Sequence, residues 1–257
     1  MNLVAVGFIA SLLAGLMTGV GAVPVLFRRE VSQGVSDALL GFAAGVMLAA
    51  SFFSLILPAI DIAAEIHGGK LAPAAISVGG VLLGSGFMAG LNEWIPHEHF
   101  FQGRQGPRAI DLERIWLFVI AITIHNAPEG LAVGVGFGGG DMAGGSVLAF
   151  GIGLQNAPEG LAVALALLSC GYSRLRSFGV ATLTGLVEPV AGLLGAYAVT
   201  LSYITLPWAL TFAAGAMIYV ISHEILPETH RHGFEKQATL GLTLGLVIMM
   251  FLDVAFG

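Results

Sequence analysis

The chain has 257 residues, of which 56% are hydrophobic and only 10% charged, and its mean hydropathy is +0.90. That composition excludes an ordinary soluble domain and points to a polytopic membrane protein with no separate soluble unit. A single cysteine, Cys170, excludes an intramolecular disulfide framework, and the net charge of −6 says less than where the charges fall.

A bilayer core of about 30 Å takes roughly 20 apolar residues per helix. No Lys or Arg precedes Arg28, so the basic start of a cleaved signal peptide is missing and the first helix is expected to be retained. In chain order the sequence predicts spans over Leu3–Phe27, Val35–Ile60 and Pro73–Leu91, then a charged connection over Asn92–Arg114. Five more follow over Ile115–Phe137, Gly144–Ser169, Ser177–Leu201, Pro207–Leu226 and Thr239–Ala255. Glycine-rich breaks separate them, as at Gly68-Gly69, Gly138-Gly139-Gly140-Asp141 and Gly171-Tyr172-Ser173. The expected fold is all-α: eight transmembrane helices in one transporter domain, 1–257, with 92–114 as a cytoplasmic loop.

Basic residues mark the cytoplasmic side. Nine of the ten fall together on this reading: Arg28, Arg29, Arg104, Arg108, Arg114, Arg174, Arg176, Arg231 and Lys236. Only Lys70 lies opposite, so both termini are expected outside the cytoplasm.

The first and last three helices look alike. Phe42-Ala-Ala-Gly-Val-Met47 in helix 2 returns as Phe212-Ala-Ala-Gly-Ala-Met217 in helix 7, and each later reaches Leu-Pro, at Leu57-Pro58 and Leu226-Pro227. Gly15-Leu16 resembles Gly185-Leu186, and Gly80 and Gly84 have counterparts in Gly241 and Gly245. The two triplets start on opposite sides, giving a 3+2+3 inverted repeat of the kind that places a polar site near the bilayer midplane.

Helices 4 and 5, between the triplets, carry nearly the same segment: His125-Asn126-Ala-Pro128-Glu129-Gly130 and Gln155-Asn156-Ala-Pro158-Glu159-Gly160. In each, the first polar residue and the Glu are four apart on one helix face. The proline withholds a bond from the carbonyl four residues back, which is tolerated at membrane depth where that carbonyl is buried or lines a polar cavity. Intramembrane carboxylates are costly and serve ion or proton paths, whereas hydrogen-bonded glue between helices does not require them. His125, Glu129, Gln155 and Glu159 form one candidate ligand set. Asn126, Asn156 and Glu188 add a second that shares the two glutamates, Glu188 being followed by Pro189 in helix 6. Imidazole nitrogen with carboxylate oxygen suits first-row dications such as Zn²⁺.

These segments, with the Glu-Pro of the following helix, resemble the ZIP family of divalent-metal transporters in its bacterial GufA-like branch, over essentially the whole chain. The resemblance implies zinc import into the cytoplasm, across the cytoplasmic membrane of a bacterium, through a two-metal site. His125, Glu129, Gln155 and Glu159 would hold one ion; Asn126, Glu129, Asn156, Glu159 and Glu188 would hold the other. It also implies an elevator-like movement of the central helices against static wall helices, and a homodimer as one arrangement. Relatives often carry Asp where this chain has Asn156, so the second position is expected to be weaker here. Zn²⁺ is then transported substrate and not a cofactor, with Fe²⁺, Mn²⁺ and Cd²⁺ as further candidates; the partners are metal ions and the bilayer, with no nucleic acid.

A histidine-rich group lies toward the cytoplasm: His97-Glu98-His99 after helix 3, and His223-Glu224 closing helix 7 with Glu228, His230 and His232 beyond. Alone it reads equally as a solvated cluster; the resemblance makes His97, His99, His223 and Glu224 a release path, with Asn92 standing where relatives can be acidic. Outside, Asp61, Glu65, His67 and Asp141 are read as ordinary loop solvation. No His-Glu-x-x-His occurs, because Pro227 takes the place of the second His, and neither Gly-x-Ser-x-Gly nor a phosphate-cradling loop is present. A zinc-dependent intramembrane hydrolase and a proton carrier without metal are the competing readings. The expectation is a transporter and not an enzyme.

Overall fold

The computed structural model describes residues 2–27, 31–94, 97–99, 103–105, 114–169 and 171–257. They form eight helical rods: α1 Leu3–Leu26, α2 Gln33–His67, α3 Leu71–Trp94, α4 Arg114–Gly138, α5 Met142–Ser169, α6 Arg174–Leu201, α7 Tyr203–Thr229 and α8 Glu235–Phe256. Among the described residues seven rods, all but α4, are long and apolar enough to cross a membrane. With 25 residues, α4 has the length as well. Outward faces carry exposed Leu13, Leu82, Leu194, Leu240 and Phe251, the surface that lipid would cover. The chain is an all-helical polytopic membrane protein.

Local chemistry sets the ends. The Asn2 side chain accepts from the backbone N–H groups of Val4 (3.1 Å) and Ala5 (3.3 Å) and so caps α1. Between α2 and α3 the chain reverses through Gly68 and Gly69, both at positive φ (67° and 66°), where a side chain would be strained. Asp141 Oδ1 accepts from Gly144 N at 2.9 Å and opens α5.

Helix α2 runs past the predicted end at Ile60 to His67, so Asp61, Glu65 and His67 lie on an exposed helical extension and not in a loop. The wide turn explains it. A π-turn over Ser51–Ile56 precedes Leu57-Pro58, and its slack lets the chain resume an α-helix with Pro58 in the first turn, where a missing N–H costs little. Helix α7 does the same, with a π-turn over Ile221–Ile225 before Leu226-Pro227. Helix α6 breaks into Arg174–Gly185 and Val187–Leu201, because Pro189 cannot donate to the Gly185 carbonyl.

The connection read from sequence as a loop carries a short antiparallel hairpin, β1 His97–His99 and β2 Gly103–Gln105, with His97 opposite Gln105. Arg28, Arg29, Arg108 and Cys170 lie outside the described residues.

The most extensive helix pairs are α2–α8, α4–α6, α1–α6, α3–α7 and α1–α5, and glycine makes each of them close. A Cβ at Gly45 would strike the Leu242 carbonyl and one at Gly245 the Phe42 carbonyl, across α2–α8. Across α3–α7, Gly215 meets the Val81 carbonyl and Gly84 the Phe212 carbonyl. Gly160 meets Thr18 across α5–α1, and Gly130 meets Glu188 across α4–α6. Gly15 and Gly185 meet each other's carbonyls where α1 crosses α6. Such backbone approach is how helices associate where lipid removes the hydrophobic drive.

Candidate metal centre

Helices α4 and α5 continue through Pro128 and Pro158, leaving the carbonyls of Ile124 and Leu154 without their ladder partners. The motif side chains that follow are almost wholly enclosed: His125 3% exposed, Asn126 1%, Glu129 0%, Gln155 0%, Asn156 0% and Glu159 3%. Glu188, also 0% exposed, comes from the first turn of the second segment of α6, where the helix dipole favours a negative charge. The break at Leu186 therefore positions it. Gly130 and Gly160, next to Glu129 and Glu159, let α6 and α1 close on the motif helices.

Cross-helix bonds link these residues. Gln155 Nε2 donates to Glu129 Oε1 at 2.6 Å, joining α5 to α4. Asn156 Nδ2 donates to Glu188 Oε1 at 2.7 Å and to the Ala14 carbonyl at 2.9 Å, joining α5 to α6 and α1. Glu129 lies within electrostatic reach of both Glu159 and Glu188. His125 Nε2 contacts Glu224 Oε2, which the π-turn of α7 carries inward.

Many polar atoms remain unpaired. Glu129 Oε2, both Glu159 oxygens, Glu188 Oε2, Gln155 Oε1, Asn156 Oδ1, both polar atoms of Asn126 and Thr18 Oγ1 are buried without a hydrogen-bond partner. Buried polar groups are normally paired, so a cluster of unsatisfied oxygens with three carboxylates calls for a cation. Among the described residues, no three His, Cys or acidic side chains already converge on one point. The carboxamides stand between them, and an ion would have to displace the Gln155–Glu129 bond.

At the cytoplasmic end predicted from sequence, His223 accompanies Glu224 on the π-turn. Its Nε2 lies 3.1 Å from Asn92 Nδ2, and its ring lies 5.0 Å from that of Tyr219. His97 and His99 stand on β1 beside α4; their side chains lie outside the described residues. His230 is held by Thr229 Oγ1 and the Leu226 carbonyl.

Sequence reasoning separated His125 from Glu224, which the structure joins. It also passed over three groups: the Ala14 carbonyl, buried Asp37, which meets His232 Nδ1 at 3.1 Å, and Asp253. Asp253 Oδ1 accepts from Ser54 at 2.5 Å, in a cleft also lined by Asp141 at the opposite end of the bundle. A carboxylate in an apolar helix was the available signal for Asp37 and Asp253; a backbone carbonyl leaves none.

Comparison with known proteins is consistent along the chain. The ZIP zinc transporter family profile matches residues 97–253. The zinc transporter GufA of Myxococcus xanthus is 46% identical over 252 residues, covering 98% of this chain and 99% of that one. Zinc transporter ZIPB of Bordetella bronchiseptica is 48% identical over 240 residues, covering 93% and 78%. Human zinc transporter ZIP11 is 36% identical over an alignment of 323, covering 94% of each.

Proposed function

The chain belongs to the ZIP zinc transporter family, a family of transporters and not of enzymes, and on that footing we propose that it imports Zn²⁺ into the cytoplasm of a bacterium. The carrying observation is the enclosed group on α4, α5 and α6: seven polar side chains, none more than 3% exposed, with their unpaired oxygens. His125, Glu129, Gln155 and Glu159 hold one ion. Asn126, Asn156 and Glu188 enclose the space beside the same two glutamates, where the family resemblance would put a second ion. Two carboxylates neutralise one dication, and the imidazole favours first-row metals over Ca²⁺ or Mg²⁺; Fe²⁺, Mn²⁺ and Cd²⁺ are candidate competitors.

The whole chain acts as one domain built on a 3+2+3 inverted repeat. Its support is the glycine pattern. Gly45 and Gly215 hold the same place in the two hexapeptides, and each faces a carbonyl three residues before Gly245 or Gly84. Phe42 and Phe212, the first residues of the hexapeptides, present their carbonyls to Gly245 and Gly84. The π-turns fall just before Leu-Pro in both copies, and the contact of Gly15 with Gly185 lies where a two-fold axis between the copies would pass. Helices α1, α4, α5 and α6, which hold the site, move as an elevator past walls made by α2–α8 and α3–α7. Both termini face away from the cytoplasm, as the basic residues require. From His125 the ion passes to Glu224 and His223, then to the loop bearing His97 and His99; the contact of His125 with Glu224 supports that order. A homodimer is compatible with this arrangement.

Uptake of radioactive zinc into proteoliposomes, competed with iron, manganese and cadmium, tests the reading. His125→Ala should abolish uptake. Undiminished zinc uptake in that variant would refute the site, since a route on carboxylates alone would then suffice.

A further inference from the structure

We propose that the Asn156 carboxamide occupies the second metal position itself, so that the membrane site carries one dication and Glu188 is a structural anion, not a ligand. The inference rests on the site reading above and goes beyond it in fixing the stoichiometry.

The orientation of the amide comes first. The Ala14 carbonyl can only accept, so the group 2.9 Å from it must be the NH₂ and not the oxygen of Asn156. The second amide hydrogen then points to Glu188 Oε1 at 2.7 Å. Both hydrogens are spent, one on α1 and one on α6. A metal ion between α5 and α6 would supply positive charge to Glu188 and tie the helices together. The amide already does both.

Charge points the same way. Glu129 and Glu159 together balance one dication held with neutral His125 and Gln155. Glu188 Oε1 takes the amide N–H, and the carboxylate sits at the N-terminus of the 15-residue helix segment Val187–Leu201, which stabilises its charge although its Oε2 has no hydrogen-bond partner. A second dication would set four positive charges among the three enclosed carboxylates of α4, α5 and α6, with the next one, Glu224, on the His125 side of the site, and such an imbalance is costly in low dielectric. It would also have to lie beside the positive end of the Asn156 dipole. The Asn156 oxygen stays unpaired and is available to the single ion as an outer acceptor.

The two bonds have a mechanical result. They hold α5 to α1 and α6 with no ion present, so the site-bearing helices remain one body on the return journey.

The test counts zinc bound per full-length chain in detergent by equilibrium dialysis, as differences between variants, so that ions on cytoplasmic histidines cancel. Glu188→Gln keeps an acceptor of the same shape for Asn156 and should bind as many ions as the native chain. Asn156→Asp should gain one ion per chain and lose it again when Glu188→Gln is added. Metal-free Asn156→Ala should melt about 5 °C lower, because a buried carboxylate loses its donor, while metal-free Glu188→Gln stays close to native. Loss of one ion in Glu188→Gln alone would overturn the proposal, and that comparison decides even if Asn156→Asp does not fold. So would an unchanged metal-free melting temperature in Asn156→Ala. If neither His125→Ala nor Glu129→Ala lowered the zinc count, the site reading would fall, and this inference with it.

Discussion

Gly130 and Gly160 offer the sharpest test of how the bundle holds its site. Adding a methyl group at Gly130 would bring a Cβ against the Glu188 carbonyl oxygen, 2.5 Å from its Cα and 2.7 Å from its carbonyl carbon. At Gly160 the Thr18 backbone stands in the way, with its carbonyl carbon at 2.6 Å and Cα at 2.9 Å. An ordinary contact needs 3.4 Å or more, and at both glycines the carbonyl oxygen is nearer still, so α6 must draw back from α4, and α1 from α5, by about 1 Å or more. Backbone cannot rotate aside as a side chain can. Overpacking of this kind costs about 1–3 kcal/mol. If the cost falls on the metal-competent arrangement, zinc binding weakens about 5- to 150-fold. Gly153→Ala is the control, since its nearest neighbours are Met17 Cγ at 3.3 Å and Ala14 Cα at 3.6 Å; it should stay within about twofold of native. The assays are zinc binding by dialysis and initial uptake rate in proteoliposomes, normalised to folded protein. Native binding in Gly130→Ala, or equal damage from Gly153→Ala, would refute the reasoning.

Three further outcomes are expected. In a Cys170→Ser background, Met142→Cys, at the first residue of α5 just after the α4–α5 turn, should label from outside intact cells, and Gly103→Cys only after permeabilisation; the reverse pattern would overturn the import direction. His97→Ala with His99→Ala should slow transport several-fold while zinc stays bound at mid-membrane, and loss of that binding would misplace the main site. Glu224→Gln removes a charged competitor for His125 Nε2, a contact worth about 1.5–3 kcal/mol, so zinc should bind about tenfold or more tightly and leave more slowly on the cytoplasmic side. Unchanged affinity there would mean that Glu224 does not exchange with metal.

The helices were legible because lipid demands a simple code, about 20 apolar residues per span, which this chain follows. The paired Pro-Glu-Gly motifs were legible because carboxylates are rare at that depth. Other features were hidden for physical reasons. The sequence reading ended α2 at Ile60, near Pro58, but a π-turn takes up the missing bond, and nothing in Ser51–Ile56 announces it. Glu224 read as part of a cytoplasmic histidine-rich group, solvated or a release path, and nothing in the sequence told that the same kind of turn in α7 swings it onto His125. Asn156 could be read only as a weaker ligand than Asp. That its amide hydrogens face Ala14 and Glu188 is a tertiary fact, set by three helices meeting at glycines.

The proposed repeat also explains why the two ends of the pathway differ, and it yields a last prediction. Superposing the hexapeptides places Ser54 of α2 at the position of Glu224 in α7; superposing Gly84 on Gly245 places Asn92 of α3 at that of Asp253 in α8. One end of the bundle thus pairs Ser54 with Asp253, and the other sets Glu224 and His223 beside Asn92. In the proposed repeat the frame is shared, but of the two π-turns only Ile221–Ile225 carries an imidazole and a carboxylate. The motif helices break the symmetry in the same sense, with His125 on α4 against α7 and Gln155 on α5 against α2. Exchanging them, His125→Gln with Gln155→His, keeps both side chains in the site and so should recover zinc binding that His125→Gln alone loses. The transplanted imidazole would face the Ser54 turn and not Glu224, so the hand-off toward the cytoplasm would be missing. Binding should therefore return to within about tenfold of native, while uptake stays near that of the single variant. Full recovery of uptake would show that His125 and Glu224 need not meet; no recovery of binding would show that positions 125 and 155 do not face a common ion.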